Sequence, residues 1–517
     1  MTDFYRKDVT VSNTAAVPTR PGTKVRLRYA SLIMYALNVG GLFFSFFFIT
    51  LLARKLTVQD YGIWVMIISY VGYFVLPSTI FSYWLPRNIS RGNNTAKTGF
   101  YASIIFGLVS LPLYLVLIQF ISRGLNQPIL PLTISAVILL MDYLNSSFSA
   151  MASGYSPQIN GYNSFALKIG QAISGYFLIG FLALGLVGAV VAVLIGRFCA
   201  NTVSLVMNRA LLKNSSFNFS IIVSWLRTSW LPILASITSL LLAFDVVIVR
   251  IFSGTAAPVA YYGVSTSLLS VVVFAGVVSS SLYPKILSKK NLDDLPEAIW
   301  LTFLLALPLI YIIVIYAGPL AAVFGLQYLA IAWPLRVLCL ASLLQVVGGL
   351  AGTSYIGLDC TDEDTLSTKT LLKSAIFKNS LVTLLINSFY LIALTGISFL
   401  GLDLELLVTI WCLALASSYA LNFLVIVYLM KRDFGQRFHF QNLARNFIIF
   451  TIPAIPMSLP FFIIKIQVVQ GIYQMLLNLF PPIALSLIIY FACLYLIDHK
   501  FRSTLRDIFH NILHWKQ

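Results

Sequence analysis

The run LTFLLALPLIYIIVIYA, from Leu301 to Ala317, contains no charged residue and is apolar on every face of a helix. The stretch Leu42–Leu52 has the same character. A transmembrane helix needs about 20 mostly apolar residues, whereas barrel strands are about ten residues of alternating polarity. Lipid offers no partner to the backbone polar groups, and a continuous helix satisfies them internally. These runs therefore predict membrane-spanning α-helices.

The composition of the whole chain agrees with this interpretation. Of 517 residues, 59% are hydrophobic and 10% are charged, and the mean hydropathy is +0.90. Soluble domains carry about 25% charged residues, and short loops leave no room for a soluble domain here. We predict an all-α integral membrane protein of about fourteen spans, near residues 30–53, 62–85, 99–121, 130–151, 164–185, 187–207, 229–251, 260–283, 298–320, 332–357, 375–398, 405–429, 447–466 and 473–497.

The distribution of basic residues predicts the orientation. With both termini inside, 26 of the 34 Lys and Arg residues fall in inside segments and five in outside segments. Basic residues concentrate in short cytoplasmic loops, so this accounts for the net charge of +17 better than nucleic-acid binding does. The polar start of the chain has no apolar core of a cleavable signal peptide. We predict a multi-pass protein of the cytoplasmic membrane, with both termini in the cytoplasm.

Two stretches about 200 residues apart share one pattern. LLARKLTVQDYGIWVMIISYVGYF (Leu51–Phe74) and VVIVRIFSGTAAPVAYYGVSTSLLSVVVF (Val246–Phe274) each begin at the end of a span that carries an arginine, Arg54 or Arg250. Each then passes through an outside loop to a Tyr-Gly pair, and the following span ends at a proline and a basic residue. Spans 1–2 therefore match spans 7–8.

A repeat of six spans inserts both halves with the same orientation, related by an axis along the membrane normal, and such transporters place their substrate between the halves. We therefore predict two six-helix lobes related by a pseudo-two-fold axis, followed by two further helices. The predicted segments are a cytoplasmic tail at 1–28, the N-lobe at 29–215, the C-lobe at 216–430, spans 13–14 at 431–497 and a second cytoplasmic tail at 498–517.

Charged residues within the spans are the candidate functional groups, because a charge at the bilayer centre costs about 2.5–3.5 kcal/mol or more. Four of the six are basic, which favours an anion such as a phosphate or diphosphate in a central cavity. They are Asp142, Lys168, Arg197, Asp245, Arg250 and Arg336.

Each candidate has an alternative interpretation. Lys168, Arg250 and Arg336 lie near span ends, where long side chains can reach the headgroups. The carboxylates Asp142 and Asp245 either couple an ion or form buried salt bridges. Pro232 is a candidate gating hinge, or a static kink.

We find no Walker loop, no metal-ligand spacing and no catalytic nucleophile with a base, and so predict no catalytic residue, no metal and no cofactor. The acidic cluster Asp359, Asp362, Glu363 and Asp364 follows span 10. It is either a solvated loop or the site of a metal-dependent membrane glycosyltransferase.

ARKLTVQDYGIW (Ala53–Trp64) and FDVVIVRIFSGTAAPVAYYGVSTSLLSVVVF (Phe244–Phe274) resemble the Wzx-type polysaccharide flippases of the MOP superfamily. The resemblance covers the whole chain in layout and is residue-specific over roughly 50–87 and 244–286. Two features depart from the family pattern: the segment after span 10 is acidic, and the loop after Arg250 is long.

The resemblance implies twelve core helices in two lobes plus two more, around a cationic cavity. It also implies flipping of a lipid-linked oligosaccharide to the outer leaflet by alternating access. The chain's residues that match the family pattern in position are Arg54, Arg87, Asp245 and Arg250.

The predicted function is to flip a polyprenyl-phosphate- or diphosphate-linked oligosaccharide for cell-surface polysaccharide or glycoprotein biosynthesis. Asp142 and Asp245 would couple Na⁺ or H⁺. We predict a monomer among membrane lipids that binds no nucleic acid. The alternatives are a cation-coupled multidrug or small-molecule exporter of the same superfamily, and an integral-membrane glycosyltransferase. The predicted substrate-binding residues are Arg54, Arg87, Lys168, Arg197, Arg250 and Arg336.

Overall fold

The computed structural model describes residues 27–90, 92–276, 282, 286, 291–359, 372–469 and 471–514. Within these ranges all regular secondary structure is helical. Three features of the sequence lie outside the described residues: the N-terminal tail up to residue 26, the Pro284-Lys285 end of the second repeat, and Asp362–Asp364 of the acidic cluster.

The first six predicted spans coincide with six helical segments, numbered α1 to α6. Two of them are irregular. Segment α2 contains a 3-10 turn at Leu76–Ser78, which includes Pro77, and α5 ends in a π-helical turn at Tyr176–Phe181. The segments are α1 (Leu27–Lys55), α2 (Val58–Ser90), α3 (Ala96–Gly124), α4 (Ile129–Tyr155), α5 (Gln158–Phe181) and α6 (Gly185–Lys213).

A short amphipathic helix, Phe219–Thr228, precedes the second set. Its first segment, α7, consists of Trp230–Ala243 and Asp245–Ser253, with a break at Phe244. The remaining segments are α8 (Ala257–Val273), α9 (Leu295–Ile315, followed by a short helix Ala317–Val323), α10 (Leu326–Gly357), α11 (Ala375–Ser398), α12 (Leu404–Phe434), α13 (Phe440–Ile463) and α14 (Ile472–Ile497), and then the terminal helix His499–His514.

The helices are long and apolar enough to cross a bilayer. Twelve segments of the described residues meet that requirement by length and composition. The other two predicted spans fall on α1, a helix of 29 residues, and on α8, which has 17 described helical residues. The structure thus confirms an all-α integral membrane fold.

The contacts between helices divide the core into two lobes with the same internal arrangement. In the N-lobe, α1 packs on α5, α5 on α6, α3 on α4, and α4 on both α2 and α6. In the C-lobe, each of these pairs has a counterpart six helices later: α7 packs on α11, α11 on α12, α9 on α10, and α10 on both α8 and α12. Helices α13 and α14 pack against α9, outside this pattern. The internal repeat is therefore visible in the packing, while the predicted segment boundaries stay predictions.

Pro232 lies in the first turn of α7, just after the end of the amphipathic helix Phe219–Thr228. Proline is tolerated there, because a first-turn N–H has no intrahelical partner. The two helices are separated at Ser229, and Pro232 is the third residue of the second one. A hinge role for Pro232 stays a prediction.

The two lobes meet where α2 crosses α8, and the Tyr-Gly pairs lie at this crossing. A Cβ atom on Gly62 would lie 2.1 Å from the carbonyl oxygen of Ala256, and one on Gly263 would lie 2.7 Å from Cγ2 of Val65. Both glycines therefore permit an approach that a side chain would block, as small residues do between membrane helices. This contact explains the glycine of each Tyr-Gly pair.

We predict that Gly62→Ala destabilises the protein by about 1–3 kcal/mol, because the new methyl meets a backbone carbonyl that cannot rotate away. The measurement is the midpoint of thermal unfolding in detergent. Gly72→Ala is the matched control, since it lies on the same helix and a Cβ there has no neighbour within 4 Å. Equal midpoints for the two variants would contradict the close-approach explanation.

Candidate functional site

The side that the charge distribution predicts to face outward is here called the outer side. At this end of the molecule Arg54, in the last turn of α1, reaches into the C-lobe. Its Nε lies 2.7 Å from the carbonyl oxygen of Val323, and its Nη2 lies 3.2 Å from that of Ala322. These two carbonyls are at the C-terminus of the short helix Ala317–Val323. Carbonyls at a helix C-terminus lack the partner that a continuing helix would supply, so they can accept from a guanidinium. The Ala322 carbonyl also accepts the Gly325 N–H at 3.1 Å.

Arg250, in the last turn of α7, makes the reverse contact. Its Nη2 donates to the carbonyl oxygen of Leu125 in the N-lobe at 3.0 Å. Leu125 directly follows α3, so this acceptor is also at a helix C-terminus. The two arginines of the sequence repeat thus make equivalent contacts. Each extends from its own lobe to the end of a helix in the opposite lobe.

Two glutamines add contacts between the lobes at the same end. Oε1 of Gln59 accepts a hydrogen bond from the Ala256 N–H at 2.8 Å. Nε2 of Gln327 donates to the carbonyl oxygen of Ala53 at 3.1 Å. Polar groups of both lobes therefore close the outer side around the α2–α8 crossing.

In the N-lobe the structure brings two predicted residues together. Nε of Arg197 on α6 lies 2.7 Å from Oδ1 of Asp142 on α4, and both side chains are half-buried. This is the salt-bridge alternative for Asp142. Lys168 on α5 lies against α1 at Gly41 and, among the described residues, its ammonium has no ion-pair partner. It is half-buried.

A cluster of neutral polar side chains lies beside this pair, between α4, α5 and α6. Nδ2 of Asn163 donates to Oδ1 of Asn145 at 2.8 Å and to Oγ of Ser204 at 2.5 Å. Nδ2 of Asn201 donates to the carbonyl oxygen of Met141 at 2.9 Å. Sequence reasoning missed this cluster because it considered only charged residues; asparagines inside apolar runs were the available signal.

Two predicted basic residues lie apart from the others. Arg87 is exposed, and its guanidinium lies 3.5 Å from the centre of the Tyr83 ring. Nε of Arg336 donates to the carbonyl oxygen of Val314 at 3.2 Å, and the guanidinium lies over Trp333. For Arg336, stacking on an aromatic ring and bonding a helix end fit the alternative of an interfacial side chain. Substrate binding by either residue stays a prediction.

Asp245 lies at the break of α7 and is 2% exposed. Its Oδ2 accepts hydrogen bonds from the Tyr390 hydroxyl at 3.0 Å and from Nε1 of Trp411 at 3.2 Å, and its Oδ1 accepts from the Val246 N–H at 2.6 Å. Among the described residues, no Lys or Arg forms an ion pair with it. Neutral donors alone therefore surround this carboxyl group.

A cavity of about 350 Å³ opens inside the C-lobe, between α8, α10 and α12. The Tyr262 ring at its wall stacks on Trp411, with ring centres 4.0 Å apart, and this pair covers Asp245. The described residues of the lining are uncharged, and the polar ones are Tyr262, Thr266, Ser270, Ser342, Gln345 and Tyr419.

A second cavity, of about 430 Å³, lies between the lobes. The part of its lining that the structure describes comes from α2 and α7 and is also uncharged, with hydroxyl groups from Ser69, Tyr73, Thr79, Ser236 and Ser239. The Tyr73 hydroxyl donates to the carbonyl oxygen of Ala243, which the break in α7 leaves without a helical partner. None of the predicted basic residues lines either of these two cavities.

The described residues contain no group of three or more His, Cys, Asp or Glu side chains that could hold a metal ion. In addition, two of the three donors on Asp245 are N–H groups, which cannot ligate a cation, and the Tyr390 hydroxyl is the third. A hard cation needs a larger set of oxygen ligands than this.

No family model matches the sequence, and no curated protein matches it. Solved structures do match. The lipid II flippase MurJ in an inward closed conformation has a TM-score of 0.65 at 12% identity, over 92% of this chain and 100% of that chain. A multidrug resistance MATE family transporter of the MOP superfamily has a TM-score of 0.59 in its inward-facing conformation, at 14% identity, over 76% of this chain and 95% of that chain.

An outward-facing conformation of a multidrug resistance MATE family transporter has a TM-score of 0.54 at 15% identity, over 79% of this chain and 95% of that chain. At such low identity the likeness concerns the fold alone. The chain therefore has the fold of the MOP-superfamily transporters.

Proposed function

We propose that this protein flips a polyprenyl-phosphate- or diphosphate-linked oligosaccharide across the cytoplasmic membrane by alternating access of its two lobes. Its termini would lie in the cytoplasm, and a single chain would suffice, because both lobes belong to one polypeptide. The coarser statement, a transporter with the MOP fold, rests on the neighbours described above. The solved structure of a lipid flippase, whose match covers 92% of this chain, supports the proposal that the cargo is a lipid-linked molecule.

The observation that carries this proposal is the lining of both cavities, which among the described residues is uncharged and mainly apolar, with hydroxyl groups interspersed. Sugar rings present many hydroxyl groups and apolar faces, which hydroxyl, amide and aromatic side chains bind through hydrogen bonds and stacking. Cavities of 350 and 430 Å³ fall within the size range of small-ligand sites. We assign the C-lobe cavity, with Tyr262, Gln345 and Tyr419, to part of the glycan.

The phosphate of the carrier needs a cation, and the N-lobe supplies the candidates. Lys168 has a half-buried ammonium without an acidic partner in the described residues. Arg197 uses its Nε towards Asp142, which leaves its two terminal nitrogens available for an anion. A guanidinium held by a carboxylate on one side is oriented for bidentate phosphate binding on the other.

For the coupling ion we propose H⁺ at Asp245 rather than Na⁺. The carboxyl group is buried among hydroxyl, indole and amide donors, which leave no set of oxygen ligands for a metal cation. A proton needs only the carboxyl group itself. Protonation would weaken the bonds from Tyr390 and Trp411, because a neutral acid accepts hydrogen bonds less strongly than a carboxylate.

A cation-coupled multidrug exporter is the second candidate, favoured by the matching MATE folds. Cationic drugs would need an accessible acid. Asp245 is covered by an aromatic pair, and Asp142 is engaged by Arg197. The N-lobe and C-lobe surfaces therefore suit a neutral or anionic cargo better. The glycosyltransferase alternative depended on the acidic cluster, most of which lies outside the described residues.

The test uses purified protein in liposomes with a fluorescent polyprenyl-diphosphate-linked oligosaccharide as the probe. We predict that the double variant Asp142→Asn/Arg197→Gln lowers the rate of probe flipping at least about tenfold, because it removes a charge-assisted contact to phosphate. The pair can still form a neutral hydrogen bond, so the fold is preserved. Flipping is measured by exposure of the probe to an impermeant quencher.

Arg123→Gln is the matched control, since Arg123 is an exposed arginine at the outer end of α3. A normal flipping rate in Asp142→Asn/Arg197→Gln would contradict the assignment of Arg197 to the carrier phosphate. Protein that moves a cationic drug but never the lipid probe would replace the flippase proposal with the exporter.

A second prediction concerns coupling. Asp245→Asn should abolish the stimulation of flipping by a pH gradient, while downhill flipping persists, because the amide has no proton to exchange. A sodium gradient should have no effect on the wild-type protein. The control is Asp403→Asn, an exposed acid before α12. If the Asp245→Asn variant keeps its response to the pH gradient, Asp245 is not the coupling group.

A further inference from the structure

The arginine contacts between the two lobes at the outer side are related by the pseudo-two-fold symmetry of the lobes. Arg54 ends α1 and binds carbonyls in the segment between α9 and α10. Arg250 ends α7 and binds a carbonyl in the segment between α3 and α4. Because α7 corresponds to α1 and α9–α10 to α3–α4, one contact becomes the other when the lobes are exchanged.

We propose that Arg54 and Arg250, together called the arginine latch, hold the outer side of the transporter closed, and that release of cargo to the outside requires both to detach. This gives the two residues a role in the conformational cycle rather than in binding the carrier phosphate. The proposal concerns the empty transporter and does not depend on which cargo it moves.

The chemistry of the acceptors makes the contacts selective for the closed state. The last carbonyls of a helix lack intrahelical partners and carry part of the negative end of the helix dipole. A guanidinium is always charged and has five donors, so it can bond two such carbonyls at once, as Arg54 does. When the lobes separate at the outer side, both sets of bonds are lost together.

The position of the latch is the second argument. The Ala256 N–H bonded by Gln59 lies in the loop between α7 and α8, and the Ala53 carbonyl bonded by Gln327 lies near the outer end of α1. The carbonyl of Ala256 also forms the tight contact with Gly62. The latch therefore flanks the α2–α8 crossing, where the two lobes must part in an outward-open state. Both arginines are instead bonded to backbone carbonyls of the opposite lobe.

The experiment measures how often the outer side opens without cargo. All five native cysteines are replaced by alanine, and Ser239→Cys places one thiol in the interlobe cavity. Right-side-out vesicles are treated with a membrane-impermeant maleimide, and the rate of labelling is compared among Arg54→Gln, Arg250→Gln and the double variant. Arg123→Gln removes a charge from the same side of the protein and serves as the control.

We expect each latch substitution to raise the labelling rate about tenfold, equivalent to about 1.4 kcal/mol, and the double variant to approach the product of the two. Arg54→Lys keeps the positive charge but not the planar guanidinium that bonds two carbonyls at once. Its labelling rate should therefore lie between those of the wild type and Arg54→Gln. A membrane-permeant maleimide reports whether the thiol is intact in every variant. If the double variant does not fold, the single variants and Arg54→Lys decide the question.

Labelling rates equal to that of Arg123→Gln would overturn the latch. That result is distinct from failure of the proposed function, because no lipid-linked probe is present. Conversely, a latch that passes this test together with a protein that never flips the lipid probe would leave the outer gate established and the cargo reassigned.

Discussion

The close approach of α2 and α8 is the contact on which the arrangement of the two lobes depends. It requires glycine at 62, because a Cβ there would lie 2.1 Å from a carbonyl oxygen of the other lobe. Once the two helices touch, the ends of α1 and α7 come within reach of the opposite lobe, and their arginines find helix-end carbonyls there. The interlobe cavity then lies beneath this contact, between α2 and α7.

A second constraint is that charged side chains inside a membrane protein need partners. The two lobes provide these partners in different ways. The N-lobe pairs Arg197 with Asp142, so that the local charge balances. The C-lobe surrounds Asp245 with neutral donors and covers it with aromatic rings. The first arrangement leaves guanidinium nitrogens available to an anion. The second isolates one titratable group, which suits proton exchange better than cargo binding.

Hydrophobicity and charge distribution are sufficient to predict the helical spans, because lipid allows few alternatives to a continuous apolar helix. The Tyr-Gly repeat is sufficient to predict paired lobes. The partners of individual charges are not predictable in this way. Arg54 binds carbonyls about 270 positions further along the chain, and backbone acceptors leave no signature in the sequence. The donors around Asp245 come from α11 and α12, and tyrosine or tryptophan in an apolar span is too common to indicate a partner.

The reciprocal arrangement of Arg54 and Arg250 also follows from the repeat itself. In a chain whose halves insert with the same orientation, a contact from the end of one α1-like helix to the opposite lobe is generated twice. Each contact spans the same interface, so the lobes cannot separate at the outer side by losing only one. Opening of the outer side is therefore opposed by both arginines together. In the proposed latch, the outer side is either closed with both contacts formed or open with both lost. In the proposed mechanism, a duplicated sequence would thus supply the two discrete states that alternating access requires.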